Sequence, residues 1–200
     1  MSSLSIESIK KLYYEDRLSC KEIGDRLDVN QWAVLSLMRR KNLPRRSFQE
    51  ANAVKFEKKP LSYVIKKNLS STERKLKIAG LMLYWAEGQT ESFIDLANSD
   101  TAMIKIFLKF LREICGVNEK KLRVYLYCYA NQDVNLLMDY WCRVTKIPTT
   151  QFQKPYIRYD FDDEKKGKMK YGLVHIRYHD KKLFNQINNW IQEVIKKFNG

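Results

Sequence analysis

The chain contains one long apolar run, Ile78-Ala79-Gly80-Leu81-Met82-Leu83-Tyr84-Trp85-Ala86-Glu87-Gly88, which ends on an acid and a glycine. Its composition predicts a buried helix that begins near Ser71 or Thr72, with Ser71 as its cap. Gly88 fits a left-handed cap at the other end. Glu87 then lies at the negative end of the helix dipole, which disfavours an acid unless a cation or metal offsets it. The alternative is a core helix whose last glutamate faces water.

A helix of small and apolar residues that ends in an acid and a glycine resembles the signature helix of the LAGLIDADG homing endonucleases and their non-cleaving relatives. Glu87-Gly88 stands where that family has Asp-Gly, and Met82 falls where it has a glycine. The resemblance implies a homodimer in which two such helices, residues 78–88 of each chain, pack together. It implies close helix contact at Ala79, Gly80, Leu83 and Ala86.

The same resemblance implies metal-dependent cleavage of DNA. Hydrolysis of a phosphodiester needs a metal to activate water and to stabilise the leaving oxygen. Glu87 would give one ligand to Mg²⁺, and a second copy would give another. Relatives place a lysine near the metals, for which Lys154 is the candidate; the alternative is a strand-edge lysine kept there by Pro155. The predicted cofactor is Mg²⁺ if cleavage is retained, and otherwise none.

Charge and hydropathy restrict the partners of the chain. Its 37 Lys and Arg against 23 Asp and Glu leave a net charge of +14 on 200 residues, which favours a polyanionic partner. The longest apolar stretch, residues 78–86, is shorter than the roughly 18 residues that a membrane span needs, and the first residues lack a signal-peptide pattern. These features predict a cytoplasmic protein without a membrane partner.

The cysteines and histidines predict no structural metal site. The four cysteines are far apart and have no paired spacing, which favours reduced thiols over a zinc site or a disulfide framework. His175 and His179 are four residues apart, but no third ligand lies at metal spacing, so they are predicted to be ordinary polar residues.

Residues 5–43 predict three short helices. Ser19-Cys20-Lys21-Glu22 is a capping box that opens the second helix. Asp28-Val29-Asn30 makes a turn, and Asn30 can cap a third helix over residues 31–41. The order across residues 19–34 resembles a helix-turn-helix of the resolvase or sigma-factor type. We therefore predict a DNA-binding domain over residues 1–46; the alternative is a three-helix module that binds protein.

A helix-turn-helix places the start of its third helix against base edges in the major groove, and the basic residues that follow can contact phosphates. The candidates for base contacts are Gln31, Trp32, Ser36 and Arg39. The candidates for phosphate contacts are Arg40, Lys41, Arg45 and Arg46.

The rest of the chain predicts a linker and a second domain. Residues 47–70 are basic and lack sustained periodicity, which indicates a linker or a DNA-contacting arm. Residues 71–200 predict an α+β domain in the order helix, strand, helix, strand, helix, two strands, helix. This order is similar to the LAGLIDADG fold, an α/β sandwich with a mostly antiparallel sheet. The last two strands, residues 151–161 and 171–178, predict a hairpin joined by the charged loop 162–168.

One predicted strand, residues 122–129, alternates strictly between apolar residues and a basic, aromatic set. The apolar set (Leu122, Val124, Leu126, Cys128) is predicted to face the core. The other set is Arg123, Tyr125, Tyr127 and Tyr129. A basic and aromatic face suits a sheet laid against DNA, so we predict DNA contacts by Arg123, Tyr125 and Tyr127. An ordinary solvated face is the alternative, because tyrosine is common in strands.

Together these patterns predict a protein that binds double-stranded DNA, with two functions left open. The first is a site-specific endonuclease that uses Glu87 and magnesium, which the retained acid favours. The second is a transcriptional regulator that does not cleave, which is favoured by the divergent motif and by the single strand after the signature helix, where the family has two. An RNA-binding module needs only the charge and the tyrosines, and the helix-turn-helix argues against it.

Overall fold

The computed structural model describes residues 4–89, 92–159 and 169–199, and the chain forms two compact units, Met1–Pro60 and Leu61–Gly200. The described residues form eight α-helices and one four-stranded sheet, so the predicted α+β class is confirmed. None of the described helices combines the length and the hydropathy of a membrane span.

The described residues of the first unit form helices and the turns that connect them. Its core is formed by Ile9, Leu12, Tyr13, Ile23, Val34, Leu37 and Met38. The helices are α1 (Ile6–Lys10), which continues as a π-helical turn (Lys11–Glu15), α2 (Cys20–Leu27), α3 (Gln31–Arg40) and α4 (Phe48–Lys58).

The predicted caps and turn between α2 and α3 are confirmed. Ser19 and Glu22 form the capping box of α2, and the side chain of Asn30 accepts a hydrogen bond from the backbone of Trp32 at the start of α3. Asp28 between them is left-handed, with φ 54°. A Cβ atom on Gly24 would lie 2.6 Å from the carbonyl oxygen of Val29, so the turn passes too close to α2 for any other residue.

The segment 47–70, predicted as a linker, is instead divided between the two units. Ser47 and Glu50 form a second capping box, which starts α4 in the first unit. From Leu61 onward the chain belongs to the second unit, where the backbone of Val64 donates to the Gly116 carbonyl at 3.0 Å. The hydrophobic periodicity of residues 48–58 is too weak to predict α4, but the spacing of Ser47 and Glu50 is that of a capping box and indicates the start of a helix.

The second unit follows the predicted order of elements. Its helices are α5 (Ser71–Glu87), α6 (Thr101–Lys109), which continues as a π-helical turn (Phe110–Ile114), α7 (Val134–Thr145) and α8 (Lys181–Asn199). Its strands are β1 (Ile94–Asn98), β2 (Leu122–Tyr129), β3 (Tyr156–Arg158) and β4 (Leu173–Tyr178). One face of the sheet and the four helices enclose the core.

The predicted hairpin of the last two strands is wrong. The sheet order is β1-β4-β2-β3, with β4 antiparallel to both of its neighbours and β3 parallel to β2. Val174, Ile176 and Tyr178 of β4 are fully buried, so this strand takes a central place, while the short β3 reaches the edge through the crossover helix α7. The predicted loop 162–168 lies outside the described residues.

Both ends of α5 differ from prediction. Ser70, and not Ser71, is the cap, and it forms a capping box with Glu73. Gly88 is extended, with φ −84° and ψ 155°, because it pairs with Leu96 of β1 and does not turn into a left-handed cap. Glycine is still needed at this position, since a Cβ atom would lie 2.3 Å from the carbonyl oxygen of Tyr84.

Glu73 at the start of α5 makes stability depend on pH. The Lys66 ammonium, 2.5 Å from the Glu73 carboxylate, and hydrogen bonds from Ser70 lower the pKa of Glu73 from 4.5 to about 2. A carboxyl whose pKa is lower in the folded state stabilises above its unfolded pKa, and this contribution is lost as pH falls from 4.5 toward 2. We expect Glu73→Gln to lower the melting temperature at pH 7, and the deficit to shrink between pH 5 and pH 3 when both proteins are followed by circular dichroism.

Glutamine can still make the capping hydrogen bond, so this substitution isolates the charge. A deficit that stays constant over the same pH range would contradict an origin in the ionisation of Glu73.

Candidate nucleic-acid interface

The four residues predicted to contact bases are all exposed on α3, and two of them, Gln31 and Trp32, are in its first turn. Trp32, Ser36 and Arg39 are spaced by four and three residues and therefore share one side of the helix, with Gln31 beside them. Trp32 is 66% exposed although it is a large aromatic residue. The opposite side of α3 is buried in the core of the first unit through Val34, Leu37 and Met38. The helix thus presents a mixed polar, aromatic and basic side to solvent.

Three of the four residues predicted to contact phosphates are exposed, namely Arg40, Lys41 and Arg45. Arg46 is half-buried, and its guanidinium donates to the carbonyl oxygens of Tyr13 and Leu18 and lies 4.1 Å from the centre of the Tyr13 ring. We therefore assign Arg46 to the stability of the first unit and remove it from the DNA contacts. Its partners lie about thirty positions earlier in the chain, so local sequence could not reveal them.

The sheet turns a second set of side chains away from the core. We call this set the polar face: Asp95, Ala97, Arg123, Tyr125, Tyr127, Tyr156, Leu173, His175 and Arg177. Strand register places Arg123 opposite Arg177, Tyr125 opposite His175, and Tyr127 opposite both Leu173 and Tyr156. The predicted DNA contacts Arg123, Tyr125 and Tyr127 are half-buried there, among other rings and cations.

Tyr129, predicted to face away from the core with the other tyrosines of β2, is only 6% exposed. The guanidinium of Arg158 lies 5.6 Å from the centre of its ring. The alternation of β2 therefore separates core from polar face along most of the strand, and contacts from β3 cover its last residue.

Asp95 is the buried centre of the polar face. Its side chain is only 5% exposed, and its carboxylate accepts hydrogen bonds from His175 Nδ1 at 2.9 Å and from Arg177 Nε at 2.7 Å. A carboxylate only accepts, so the hydrogen of this contact belongs to Nδ1 of the imidazole. One buried acid on β1 thus fixes the orientation of two side chains on β4.

Arg177 is held as a cation on this face. Burial lowers the pKa of its guanidinium, but the negative charge of Asp95 and hydrogen bonds to Asp95 and Tyr125 outweigh burial and raise the pKa overall. The guanidinium carbon lies 4.1 Å from the centre of the Tyr125 ring, in cation–π geometry. The Arg177 guanidinium is therefore fixed in position from two sides, and its charge is paired with the Asp95 carboxylate.

Asp95, His175 and Arg177 were absent from the residues proposed from sequence. Part of the signal was present, because Val174, Ile176 and Tyr178 alternate with His175 and Arg177 in the same way as the residues of β2. What the sequence lacks is the register that brings Asp95 opposite Arg177, 82 positions away along the chain.

The structure does not bring the two predicted catalytic residues together. Glu87 is exposed at the end of α5, where the next residue pairs with β1. Lys154 is exposed just before β3, which is the edge strand opposite β1 in the sheet. Among the described residues, no group of three or more His, Cys, Asp or Glu could hold a metal ion.

A single chain therefore does not build the magnesium site predicted at Glu87 from its described residues. Mg²⁺ is held by several oxygen ligands, and Glu87 supplies one carboxylate. The site stays a prediction that needs ligands from a second copy or from the nucleic acid.

The predicted dimer contacts divide into inward and outward residues. Gly80 is buried, and a Cβ atom on it would lie 2.2 Å from Cγ of Phe110, so its small size serves the packing of α5 on the core. Leu83 is half-buried against the same core. Ala79 and Ala86 are exposed and share one side of α5 with three larger apolar residues. These are Ile78 and Trp85, which are 46% and 58% exposed, and the half-buried Met82.

Comparisons with known proteins do not assign the chain to a family. No protein-family model matches it, and neither the curated proteins nor the solved structures contain a match. The charge and geometry of α3 and of the polar face therefore carry the functional conclusion.

Proposed function

We propose that this protein binds double-stranded DNA, and that α3 of the first unit reads the major groove. The observation that carries the proposal is the exposed side of α3, where Trp32, Ser36 and Arg39 are aligned and the basic residues Arg40 and Lys41 follow. A short capped helix that meets its predecessor at a tight turn has the shape of a recognition helix. The net charge of +14 supplies the attraction to phosphates that such binding requires.

The polar face supports the proposal from the second unit. Arg123 and Arg177 are directly opposite each other in the β2–β4 ladder, and Arg177 is kept charged and oriented by Asp95. One terminal nitrogen of Arg123 donates to the carbonyls of Lys120 and Leu122, and Nε of Arg177 donates to Asp95, so both guanidinium groups are held in place. We propose that their other N–H groups donate to phosphate oxygens, which needs little further ordering of these half-buried side chains.

The endonuclease predicted from residues 78–88 is the second candidate function. The exposed position of Glu87 at the end of α5 favours it, because the carboxylate is accessible there to a metal and to a second copy of the chain. The exposed apolar side of α5 would be the surface for that copy. A non-cleaving regulator needs neither feature and requires only specific binding.

The first experiment selects duplexes that the full chain binds from a random DNA pool, and then measures their affinity over a range of salt concentrations. We expect the double variant Arg39→Ala, Arg40→Ala to bind the selected duplex at least tenfold more weakly. Each lost phosphate contact should reduce the slope of log affinity against log salt by about 1.

The matched control is Lys196→Ala with Lys197→Ala, which removes the same charge from exposed positions near the end of α8. Equal losses in the two double variants would reduce the role of α3 to general charge. Unchanged affinity in the α3 variant would remove the first unit from the DNA contact.

Incubation of the selected duplexes with magnesium separates the two candidate functions. Cleavage by the wild-type protein, abolished in Glu87→Gln while affinity is retained, would support the endonuclease. Specific binding without cleavage by either protein would support the regulator.

A further inference from the structure

A row of aromatic rings crosses the polar face from β4 to the edge of the sheet. The centre of the Tyr127 ring lies 4.7 Å from that of His175 and 5.1 Å from that of Tyr156. The end of the row at β3 is exposed to solvent, because Tyr156 is 59% exposed. Tyr159, the next residue after β3, is 82% exposed. Aromatic side chains usually gain stability by burial, and these two tyrosines are left largely uncovered.

The end of this row is concave. Tyr127, Tyr156, Ile157, Arg158 and Tyr159 line an open cavity of about 460 Å³. Three of its five lining residues are tyrosines, and Arg158 is another. A planar aromatic ligand of moderate size matches this lining better than a peptide or a metal ion does.

Positive charge lies beside the aromatic lining. Arg158 is one of the lining residues, and Lys154 is exposed two residues before Tyr156. A planar ligand that also carries negative charge is therefore favoured. A nucleotide has both properties, since its base has a π-face and its phosphate has the charge.

We propose that the β3 edge of the polar face is a stacking site for an unpaired nucleobase, centred on Tyr156 and Tyr159. In an intact duplex each base face is covered by the neighbouring pairs, so exposed rings gain stacking only from a base in a single strand or from a base displaced out of a duplex. This site goes beyond duplex recognition by α3, and it makes no use of the first unit.

The test measures binding of the full chain to labelled oligonucleotides of equal length and charge: a thymine strand, an abasic strand, and duplexes with and without one unpaired thymine. We expect the thymine strand to bind at least tenfold more tightly than the abasic strand, since stacking on an aromatic side chain is worth about that factor per base. Preference for the bulged duplex over the perfect one would identify a displaced base as the source of the ligand, and a preference limited to the single strand would identify the strand.

Substitutions at the site test whether its aromatic rings cause the preference for thymine strands. Tyr156→Leu is expected to lose the preference for thymine over abasic strands, while Tyr156→Phe retains it because the ring is kept. Tyr159→Leu provides a second test at a residue that is almost fully exposed, should the first variant fold poorly. Phe198→Leu, at an aromatic residue that is 81% exposed outside the polar face, is the matched control and should change nothing.

Equal affinity for thymine and abasic strands would overturn the proposal, because charge alone would then account for binding. That outcome leaves duplex binding untouched, since affinity for the selected duplex is measured separately and depends on Arg39 and Arg40. Conversely, loss of duplex binding in the α3 variant with an intact preference for thymine strands would separate the two sites.

Discussion

Asp95→Ala is expected to destabilise the second unit by about 3 kcal/mol, at the lower end of the range for breaking a buried ion pair. The carboxylate is buried, but His175 and Arg177 each keep about a fifth of their side-chain surface exposed and can recover some solvation. Urea unfolding followed by tryptophan fluorescence measures the effect, because Trp85, Trp141 and Trp190 all lie in the second unit.

Asp139→Ala is the matched control, since that aspartate is exposed on α7, and it should shift the unfolding free energy by less than about 0.5 kcal/mol. A further variant replaces Asp95 and Arg177 together by apolar residues. Its loss of unfolding free energy should be smaller than the sum of the losses in the two single variants, because no uncompensated charge is left behind. Additive losses would contradict the coupling that the hydrogen bond between these two residues implies.

Gly80→Leu is expected to destabilise the second unit by about 3 kcal/mol or more through overpacking. The added Cβ atom alone would lie 2.2 Å from Cγ and 2.5 Å from Cβ of Phe110, which is itself fully buried. Leucine is a strong helix former, so any loss reflects packing rather than helix propensity. The same urea unfolding measurement applies.

Ala79→Leu on the neighbouring, exposed position is the control, and it should leave unfolding of the single chain nearly unchanged. The pair of variants also separates two uses of small residues in α5. If Gly80 lay in a contact between two chains, Gly80→Leu would reduce association measured by analytical ultracentrifugation while the unfolding of the monomer stayed intact. That outcome would contradict the inward position of Gly80.

Local chemistry was predictable from the sequence. Ser19 with Glu22, and Asn30, each cap the helix that they precede, because the donors they satisfy lie two or three residues away. The bounds of β2 were also predicted, since strict alternation over eight residues has no competing helical period. These elements depend on neighbours in the chain, and the sequence contains those neighbours.

Features that depend on distant residues could not be predicted. Arg46 had the composition of a phosphate contact, yet the carbonyl of Leu18 and the ring of Tyr13 hold it inside the first unit. The short β3 could have paired with β4 after a turn, and its parallel partner β2 was settled only by the crossover of α7. The apolar run 78–88 indicated a buried helix, but the direction in which Gly80 faces depends on Phe110.

The sheet order has a consequence for how the protein is made. The strand that joins β1 to β2 is β4, the last strand of the chain, so the sheet cannot close until nearly the whole second unit has been synthesised. Until Leu173–Tyr178 emerges, β1 lacks its only strand partner within the described residues, and the Asp95 carboxylate lacks His175 and Arg177 as donors. Of the described strand pairs, a chain that ends before residue 173 keeps only β2 with β3, and its uncovered apolar strands become targets for chaperones and proteases.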